Sequence, residues 1–264
     1  MRLLDDFTPI IHRLPGRSIK VYAIADVHIG ARECDLDGFE RFIKRVASEP
    51  DSYIVLVGDL VNNGIRSASC PTDIYDETMP PRAQVDKCVE LLQPVADRIL
   101  GAVGGNHEAR SRKAVDLDPA YEVMALLRKP ELYRRDMAFL RIVLDNSMAP
   151  TRTHGVRDNY AMLLVHGSTA NKKRHFAYAV EGVDAIVSAH THDGVVEKPA
   201  RLVFTTRNNV LMKPLVSLTA TSWLTYGGYG AAALYMPKST SDPQALLLEY
   251  TGSNNKEGQI RVIW

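Results

Sequence analysis

The feature that most constrains the fold is an alternation of short apolar runs with segments of helical spacing. Residues 19–25, 53–57 and 99–103 are apolar and predict buried strands. Residues 36–48, which Asp35 would cap, and residues 82–98, with a kink at Pro94, have the apolar spacing of helices. Strand, helix and strand in this order predict a parallel sheet with crossover helices. In such a sheet, functional residues are expected at the carboxyl ends of the strands.

Five short polar islands lie along the chain, and each of them except His166 follows or ends a short apolar run of this kind. They read Asp26-Val27-His28, Gly58-Asp59-Leu60, Gly105-Asn106-His107-Glu108, His166-Gly167 and His190-Thr191-His192. Together they contain five of the eight histidines and supply seven hard-to-borderline metal ligands, with one histidine to spare. That inventory predicts a site for two metal ions that polarises a phosphate group and activates water.

The order D-x-H, G-D, G-N-H-E, H, H-x-H resembles the signature of the calcineurin-like metallophosphoesterases, and it extends from Asp26 to His192. The resemblance and the strand pattern together indicate an α/β fold. In it, a two-layer β-sandwich is flanked by helices, and residues 1–264 form a single domain. The family usually has glycine where this chain has Ala189. Because alanine adds only a methyl group, we expect a local adjustment and no lost ligand.

The resemblance also implies which residues bind each metal ion. Asp26, His28, Asp59 and His192 would hold one ion, and Asp59, Asn106, His166 and His190 would hold the other. Asp59 is the candidate bridge, since a single carboxylate between two ligand islands is free to join two like charges. Mixed nitrogen and oxygen ligands favour manganese, with iron or zinc as alternatives, over calcium. A hydroxide between the two ions would then attack phosphorus in line.

His107 is left over from metal binding and lies next to the ligand Asn106. It is therefore the candidate general acid, or a stabiliser of the phosphoryl oxygens. Glu108 is interpreted either as a group that orients His107 or as a solvated residue of a surface turn. Asn62 is either a substrate contact or a turn residue.

Two basic clusters follow the islands, and each is either a phosphate grip or a solvated loop. Arg110 in the first and Arg174 in the second are the candidate substrate contacts. If both clusters face the metal ions, they would form a groove suited to a phosphodiester backbone. The clusters are Arg110, Arg112 and Lys113, and Lys172, Lys173, Arg174 and His175.

Three functions remain open. A phosphodiesterase or nuclease is favoured, because the segment from Ile24 to Gly30 is similar to the D-x-H-x-G start of Mre11/SbcD-type nucleases. The alternative is a phosphomonoesterase acting on a nucleotide, a metabolite or a phosphoprotein. The G-N-H-E island looks like that of the Ser/Thr protein phosphatases, but the run from Gly58 to Gly64 lacks their second Asp and their Arg. A non-catalytic scaffold is disfavoured because every ligand position is filled.

The amino-acid composition indicates the class of protein and the cellular compartment. The apolar and charged fractions are those of a soluble globular protein. The net charge of +1 gives no overall attraction to DNA or RNA, which leaves the local clusters to provide it. Three cysteines without C-x-x-C spacing favour a reducing compartment, and no apolar run predicts a signal peptide or a membrane span. We therefore expect a cytoplasmic protein without membrane contact.

The remaining segments complete the expected architecture. The loop at 62–81 is a candidate lid or interface, and a homodimer is one possible state. Helices are predicted at 119–129 and 171–181. Strands are predicted at 138–144, 160–165, 184–189, 244–250 and 259–263, with a hairpin at 201–207 and 210–218 around Asn208-Asn209.

Overall fold

The structure is a computed structural model. It describes residues 7–66, 73–145, 158–167, 180–204, 206, 208–228, 231, 242–250 and 260–263. Residues 168–179 fall outside these ranges, and with them Arg174 and most of the helix predicted at 171–181.

The described residues form fourteen strands, most of which belong to two six-stranded sheets. In the first half of the chain the strands are β1 (Ile10–Pro15), β2 (Ser18–Ile24), β3 (Ser52–Val57), β4 (Ile99–Val103), β5 (Tyr133–Arg134), β6 (Met137–Asp145) and β7 (Asp158–Val165). In the second half they are β8 (Ala185–Ser188), β9 (Val196–Glu197), β10 (Ala200–Phe204), β11 (Val210–Pro214), β12 (Val216–Thr219), β13 (Ala245–Glu249) and β14 (Ile260–Ile263).

Five α-helices lie within the described ranges. They are α1 (Leu36–Ser48), α2 (Asp73–Asp76), α3 (Pro81–Leu92), α4 (Glu108–Val115) and α5 (Pro119–Leu126). The bounds of α1 are as predicted, and the Asp35 side chain accepts a hydrogen bond from the Gly38 amide at 2.9 Å, which caps the helix. None of these helices is long and apolar enough to cross a membrane.

The first large sheet has the strand order β14-β13-β2-β3-β4-β5, and the second has the order β1-β6-β7-β8-β12-β9. β2, β3 and β4 are parallel to one another, as are β7 and β8. A shared core fills the space between the sheets, with Val55 and Val57 of β3 buried together with Leu140 of β6 and Leu164 of β7. The predicted α/β fold, a two-layer sandwich flanked by helices, is therefore confirmed.

A second core lies on the outer face of the first sheet. It packs Ile54 and Leu56 of β3 against Phe39 and Phe42 of α1 and Val85 of α3. Covering both faces of β3 explains why its sequence is a continuous apolar run rather than an alternating one.

Some predicted elements were wrong. The single kinked helix over 82–98 is instead α3 followed by a 3-10 helix at Gln93–Arg98. Pro94 has no amide proton and its ring would clash with the preceding turn, so the α-helix ends before it. The strand predicted at 210–218 is divided at Leu215. Pro214 cannot donate to a ladder, and the chain then leaves β10 to pair with β8 in the second sheet.

Several elements were not predicted, among them β1, α2, α4, β5 and β9. β1 is an edge strand that pairs in parallel with β6. α4 begins inside the third island, so Arg110, Arg112 and Lys113 lie on a helix and not on a basic loop.

Candidate metal centre

The polar islands meet where strands of the two sheets end. Asp26 and His28 follow β2, Asp59 follows β3 and Asn106 follows β4. The other three predicted ligands follow strands of the second sheet, namely His166, His190 and His192. All seven thus lie at carboxyl ends of parallel strands, where the topology predicts a functional site.

The seven side chains converge into two neighbouring groups. Asp26, His28 and His192 offer ligand atoms within 4.8 Å of one another, and so do Asp59, His166 and His190. The Asn106 Oδ1 atom belongs with the second group, at 3.0 Å from His166 Nε2 and 2.8 Å from His190 Nδ1. The first group does not include Asp59, which the resemblance assigned to both ions, and the assignment of these residues to two metal ions stays a prediction.

Asp59 lies between the groups. Its Oδ2 atom is 3.2 Å from His166 Nε2 and 3.9 Å from His28 Nε2. Burial would raise the pKa of Asp59, but His166 and the other histidines around it hold that pKa well below its usual range. The carboxylate is therefore charged and faces ligands of both groups, as a bridge requires.

Several ligand atoms of this cluster lack the partners that buried polar atoms need. Both ring nitrogens of His28 and the Asp26 Oδ1 atom are buried without a hydrogen-bond partner. His166 Nδ1 donates to the Val57 carbonyl at 2.7 Å, so Nε2 faces the oxygens of Asn106 and Asp59 and its lone pair is free for an ion once the ring loses its proton. Lone pairs that converge in this way need a cation between them, and the nitrogen and oxygen donors suit divalent transition metals.

The positions of the neighbouring groups also determine whether His28 and His166 are protonated. Burial lowers the pKa of His28 to about 3, with help from His107, so this imidazole stays neutral and able to coordinate. Burial would also lower the pKa of His166, but the Asp59 carboxylate outweighs it and raises that pKa to about 9. A cation entering the cluster must therefore displace a proton from His166.

The ligands sit on an unusual backbone. Among described residues other than glycine, nine have positive φ, and five of these are predicted metal ligands. The five are Asp26 (49°), His28 (51°), Asp59 (51°), His190 (75°) and His192 (56°). Left-handed conformations cost free energy and collect at functional sites, where surrounding contacts impose them.

His107 lies at the edge of the cluster. Its Nδ1 donates to the Asn62 carbonyl at 2.6 Å, and its Nε2 accepts from the Arg110 guanidinium at 3.1 Å. The Nε2 atom is also 4.0 Å from Asp59 Oδ2. Geometry alone would allow His107 to join His28 and Asp59 around an ion. Because both ring nitrogens already have partners, His107 is better described as a group beside the metal positions.

Sequence comparison identifies the family. The model of the calcineurin-like phosphoesterase family matches residues 19–194, which contain all seven predicted ligands and His107. This chain is a calcineurin-like phosphoesterase. No curated protein matches the sequence at a significant level.

Similarity to solved structures is distant. A Vps29 from Entamoeba histolytica, solved with zinc, is 12% identical with a TM-score of 0.38, and the match covers 93% of this chain and 98% of that one. A predicted phosphoesterase from Streptococcus pneumoniae is 14% identical with a TM-score of 0.35, covering 93% and 89%. The NAD nucleotidase of Haemophilus influenzae is 9% identical with a TM-score of 0.41, covering 92% and 49%. Scores this low add nothing to the site assignment, which rests on the family match and on the geometry.

The departure from the family pattern at Ala189 has no effect on the ligands beside it. Ala189 is fully buried, its φ is not positive, and its amide donates to the His166 carbonyl at 3.0 Å. The positive φ angle is found instead at His190, which still belongs to the second ligand group.

Glycine is needed elsewhere in the family motifs. Gly58 has φ +80°, and a Cβ atom there would lie 2.6 Å from the Gly105 nitrogen and 2.7 Å from His166 Nδ1. The glycine therefore allows the loop after β3 to touch the loop after β4.

Glu108 differs from both interpretations of the sequence. It is fully buried, and its two oxygens accept hydrogen bonds from the backbone amides of Asp59, Leu60, Val61 and Gly105. Burial, with the Asp59 charge, raises the pKa of Glu108 to about 7, while the Gly105 amide favours the carboxylate. The interpretation as a solvated turn residue was wrong, and it is the Asn62 carbonyl that orients the His107 ring. An acidic residue next to a ligand motif was the only signal for this role.

The structure places residues of the first basic cluster but does not describe the second cluster. Arg110 reaches the site, where it contacts His107 and donates to the Asn62 carbonyl at 3.1 Å. Arg112 instead forms ion pairs with Asp118 at 3.2 Å and Asp136 at 3.7 Å, which gives it a structural partner away from the site. The second cluster, with Arg174, lies outside the described residues.

The base of the 62–81 loop is held at both ends. The Asn62 side-chain amide donates to Glu77 at 3.1 Å, and the Asn63 amide donates to Gln84 at 2.8 Å. At the far end, the Thr78 amide donates to the Gly30 carbonyl at 2.8 Å. These contacts fix the position of Asn62 next to His107 and Arg110. A role of this loop as a lid or an interface stays a prediction.

Proposed function

We propose that this chain is a dinuclear-metal phosphoester hydrolase, and that its preferred substrate is a phosphodiester. The observation that carries the proposal is the pair of ligand groups on either side of Asp59, next to one histidine and one arginine that the metal positions do not use. A second ion would have little purpose in a purely structural site, whereas two ions side by side suit hydrolysis of a phosphoester.

The assignment of residues follows the two groups. Asp26, His28, Asp59 and His192 would hold one ion, and Asp59, Asn106, His166 and His190 would hold the other. Manganese is favoured, with iron or zinc as alternatives, because the donors mix imidazole nitrogens with carboxylate and amide oxygens. Two bound ions would supply an activated water as nucleophile and would polarise the phosphoryl group.

His107 and Arg110 would serve the substrate. The Nδ1 atom of His107 is committed to the Asn62 carbonyl, so only Nε2 can face a leaving group. Arg110 now covers that nitrogen, and a phosphoryl oxygen would compete for the guanidinium. In this proposal Arg110 moves to the phosphate and Nε2 takes up a proton from water. The resulting imidazolium then protonates the leaving oxygen or stabilises the phosphoryl oxygens.

Charge near the site favours a diester over a monoester. Glu77 accepts a hydrogen bond from the side-chain amide of Asn62, so a carboxylate lies next to this candidate substrate contact. A dianionic monoester would be repelled by it more than a monoanionic diester. DNA or RNA is then a candidate substrate, with Arg110 as the described part of a phosphate-binding surface. A phosphomonoesterase is the alternative.

Hydrolysis of a bis-aryl phosphate and a mono-aryl phosphate in the presence of Mn²⁺ tests the proposal. We expect faster turnover of the diester and a loss of about 10²–10⁴-fold in kcat for His107→Ala, with both ions retained. His12→Ala is the matched control, because His12 Nε2 donates to the Leu100 carbonyl at 2.7 Å and has no part in the cluster.

Other results of these hydrolysis and metal-binding experiments would change the proposal in different ways. Faster turnover of the monoester would establish the alternative and direct further assays to nucleotides, metabolites and phosphopeptides. An unchanged kcat in His107→Ala would remove His107 from the mechanism. A purified wild-type protein that takes up no metal would contradict the hydrolase and support a binding scaffold. Diester preference would justify assays on single-stranded and double-stranded DNA and RNA.

A further inference from the structure

Among the described residues, Glu108 is the one fully buried acid next to the candidate metal ligands that has no role in the proposed chemistry. Its Oε1 atom accepts from the amides of Leu60 at 2.7 Å and Val61 at 3.3 Å. Its Oε2 atom accepts from the amides of Asp59 at 3.0 Å and Gly105 at 2.8 Å. With four amide donors the carboxylate is fully engaged, so it has no free oxygen for a metal ion or a substrate.

These four amides belong to two different loops. Three lie after β3, where the candidate bridge Asp59 is found, and the fourth lies after β4, next to the ligand Asn106. At this point the loops have left their strands, so the ladder between β3 and β4 no longer supplies acceptors for them. Buried amides without an acceptor are costly, and Glu108 is what satisfies these.

The same island also fixes the Asp59 side chain. The His107 amide donates to Asp59 Oδ1 at 2.8 Å, which leaves Oδ2 to face His166 and His28. The Asp59 backbone has φ 51°, an angle that needs support from its surroundings. Glu108 provides that support by binding the Asp59 amide and the two amides that follow it.

We propose that Glu108 is a positioning residue for the dinuclear centre, and that it sets the separation of Asp59 and Asn106 by tying their loops together. The inference rests on the proposed metal site but not on which phosphoester is hydrolysed. Groups behind the ligands of a metal site commonly affect affinity about 10–100-fold, although they never touch the ion.

Binding of Mn²⁺ to Glu108→Gln tests the inference. Glutamine keeps the shape but turns an NH₂ group toward amides that need an acceptor. We expect the Kd for Mn²⁺ to rise about 10–100-fold. The electron paramagnetic resonance spectrum should change from that of a spin-coupled pair to that of isolated Mn²⁺, because the coupling depends on the bridging geometry.

Glu49→Gln is the matched control. Glu49 is also a carboxylate with several donors, Lys20 at 3.0 Å, Tyr22 at 3.3 Å and Ser52 at 2.6 Å, but it lies near the start of β2, away from the islands. Glu49→Gln should lower thermal stability while the Mn²⁺ affinity and the spin-coupled spectrum stay at wild-type values. That contrast separates positioning of the metal site from a general contribution to folding.

Wild-type affinity together with a wild-type spin-coupled spectrum in Glu108→Gln would overturn the inference and leave the proposed function intact. If that variant does not fold, Glu108→Asp decides, because a carboxylate one methylene shorter cannot reach both loops. The same two readouts should change in it, and unchanged values would overturn the inference. A wild-type protein that binds no Mn²⁺ would overturn the proposed function as well.

Discussion

At the scale of single residues, Asp59 is the side chain on which both candidate metal positions depend. Its Oδ2 atom faces histidines of both ligand groups, and its Oδ1 atom is held by the His107 amide. Asp59→Asn keeps the size but removes the charge and one oxygen. We therefore expect it to weaken the binding of both ions, which titration calorimetry with Mn²⁺ would measure as lower affinity and lower stoichiometry.

Asp118→Asn is a suitable control for that experiment. Asp118 is also partly buried and pairs with Arg112, but it caps α5 and has no place in the cluster. It should bind two ions as the wild type does. If Asp59→Asn retained two ions at wild-type affinity, Asp59 would not be the bridge.

His166 makes metal binding dependent on pH. In the metal-free protein its pKa is raised to about 9, so below that pH the imidazole is protonated and the metal must displace the proton. The apparent affinity for Mn²⁺ should rise with pH, by up to about tenfold per unit for this one proton, and level off near pH 9. Calorimetry in buffers of different ionisation enthalpy would detect the released proton. Equal affinity at mildly acidic and mildly alkaline pH would contradict the assignment.

At the scale of elements, the loops after β3 and β4 can hold their candidate ligands together only if the two loops are in direct contact. Gly58→Ala would place a Cβ atom 2.6 Å from the Gly105 nitrogen and 2.7 Å from His166 Nδ1. Gly182 has nearly the same angle, φ +79° against φ +80°, but has no atom within 4 Å of such a Cβ. Both substitutions should lower the free energy of unfolding by about 1–2 kcal/mol through the left-handed backbone.

Only Gly58→Ala should also lose Mn²⁺ affinity, because only there must the loops move apart. Chemical denaturation gives the first quantity, and calorimetry gives the second. Equal metal affinity in the two variants would mean that the loop contact does not hold the ligands in place.

The sequence predicted the elements whose signals are local. Each strand that carries a ligand island is largely apolar, and the helix at 36–48 has both a cap and a regular apolar face. Elements that depend on distant partners were missed or wrong. β1 is defined by pairing with β6, and the break at Leu215 depends on where β8 lies. For Glu108, the sequence indicates proximity to a ligand but cannot show four backbone amides that arrive from two loops.

At the scale of the whole molecule, the candidate metal centre lies where the two layers of the sandwich meet. Asp26, His28, Asp59 and Asn106 follow strands of the first sheet, whereas His166, His190 and His192 follow strands of the second. Each ligand group contains side chains from both sheets. The ions would therefore act as cross-links between layers that are otherwise held by the shared apolar core and the chain connections.

Such cross-links predict a large effect of metal on global stability. An ion at 100 times its Kd adds about 2.7 kcal/mol to the free energy of unfolding, because it binds the folded chain and not the unfolded one. For a protein of this size, that corresponds to a rise in Tm of roughly 5–10 °C per site. Thermal denaturation monitored by circular dichroism, with EDTA and then with Mn²⁺, would measure it. Asp59→Asn should lose most of the rise and Asp118→Asn should keep it. A wild-type Tm that is the same with EDTA and with Mn²⁺ would show that the two sheets do not share a metal centre.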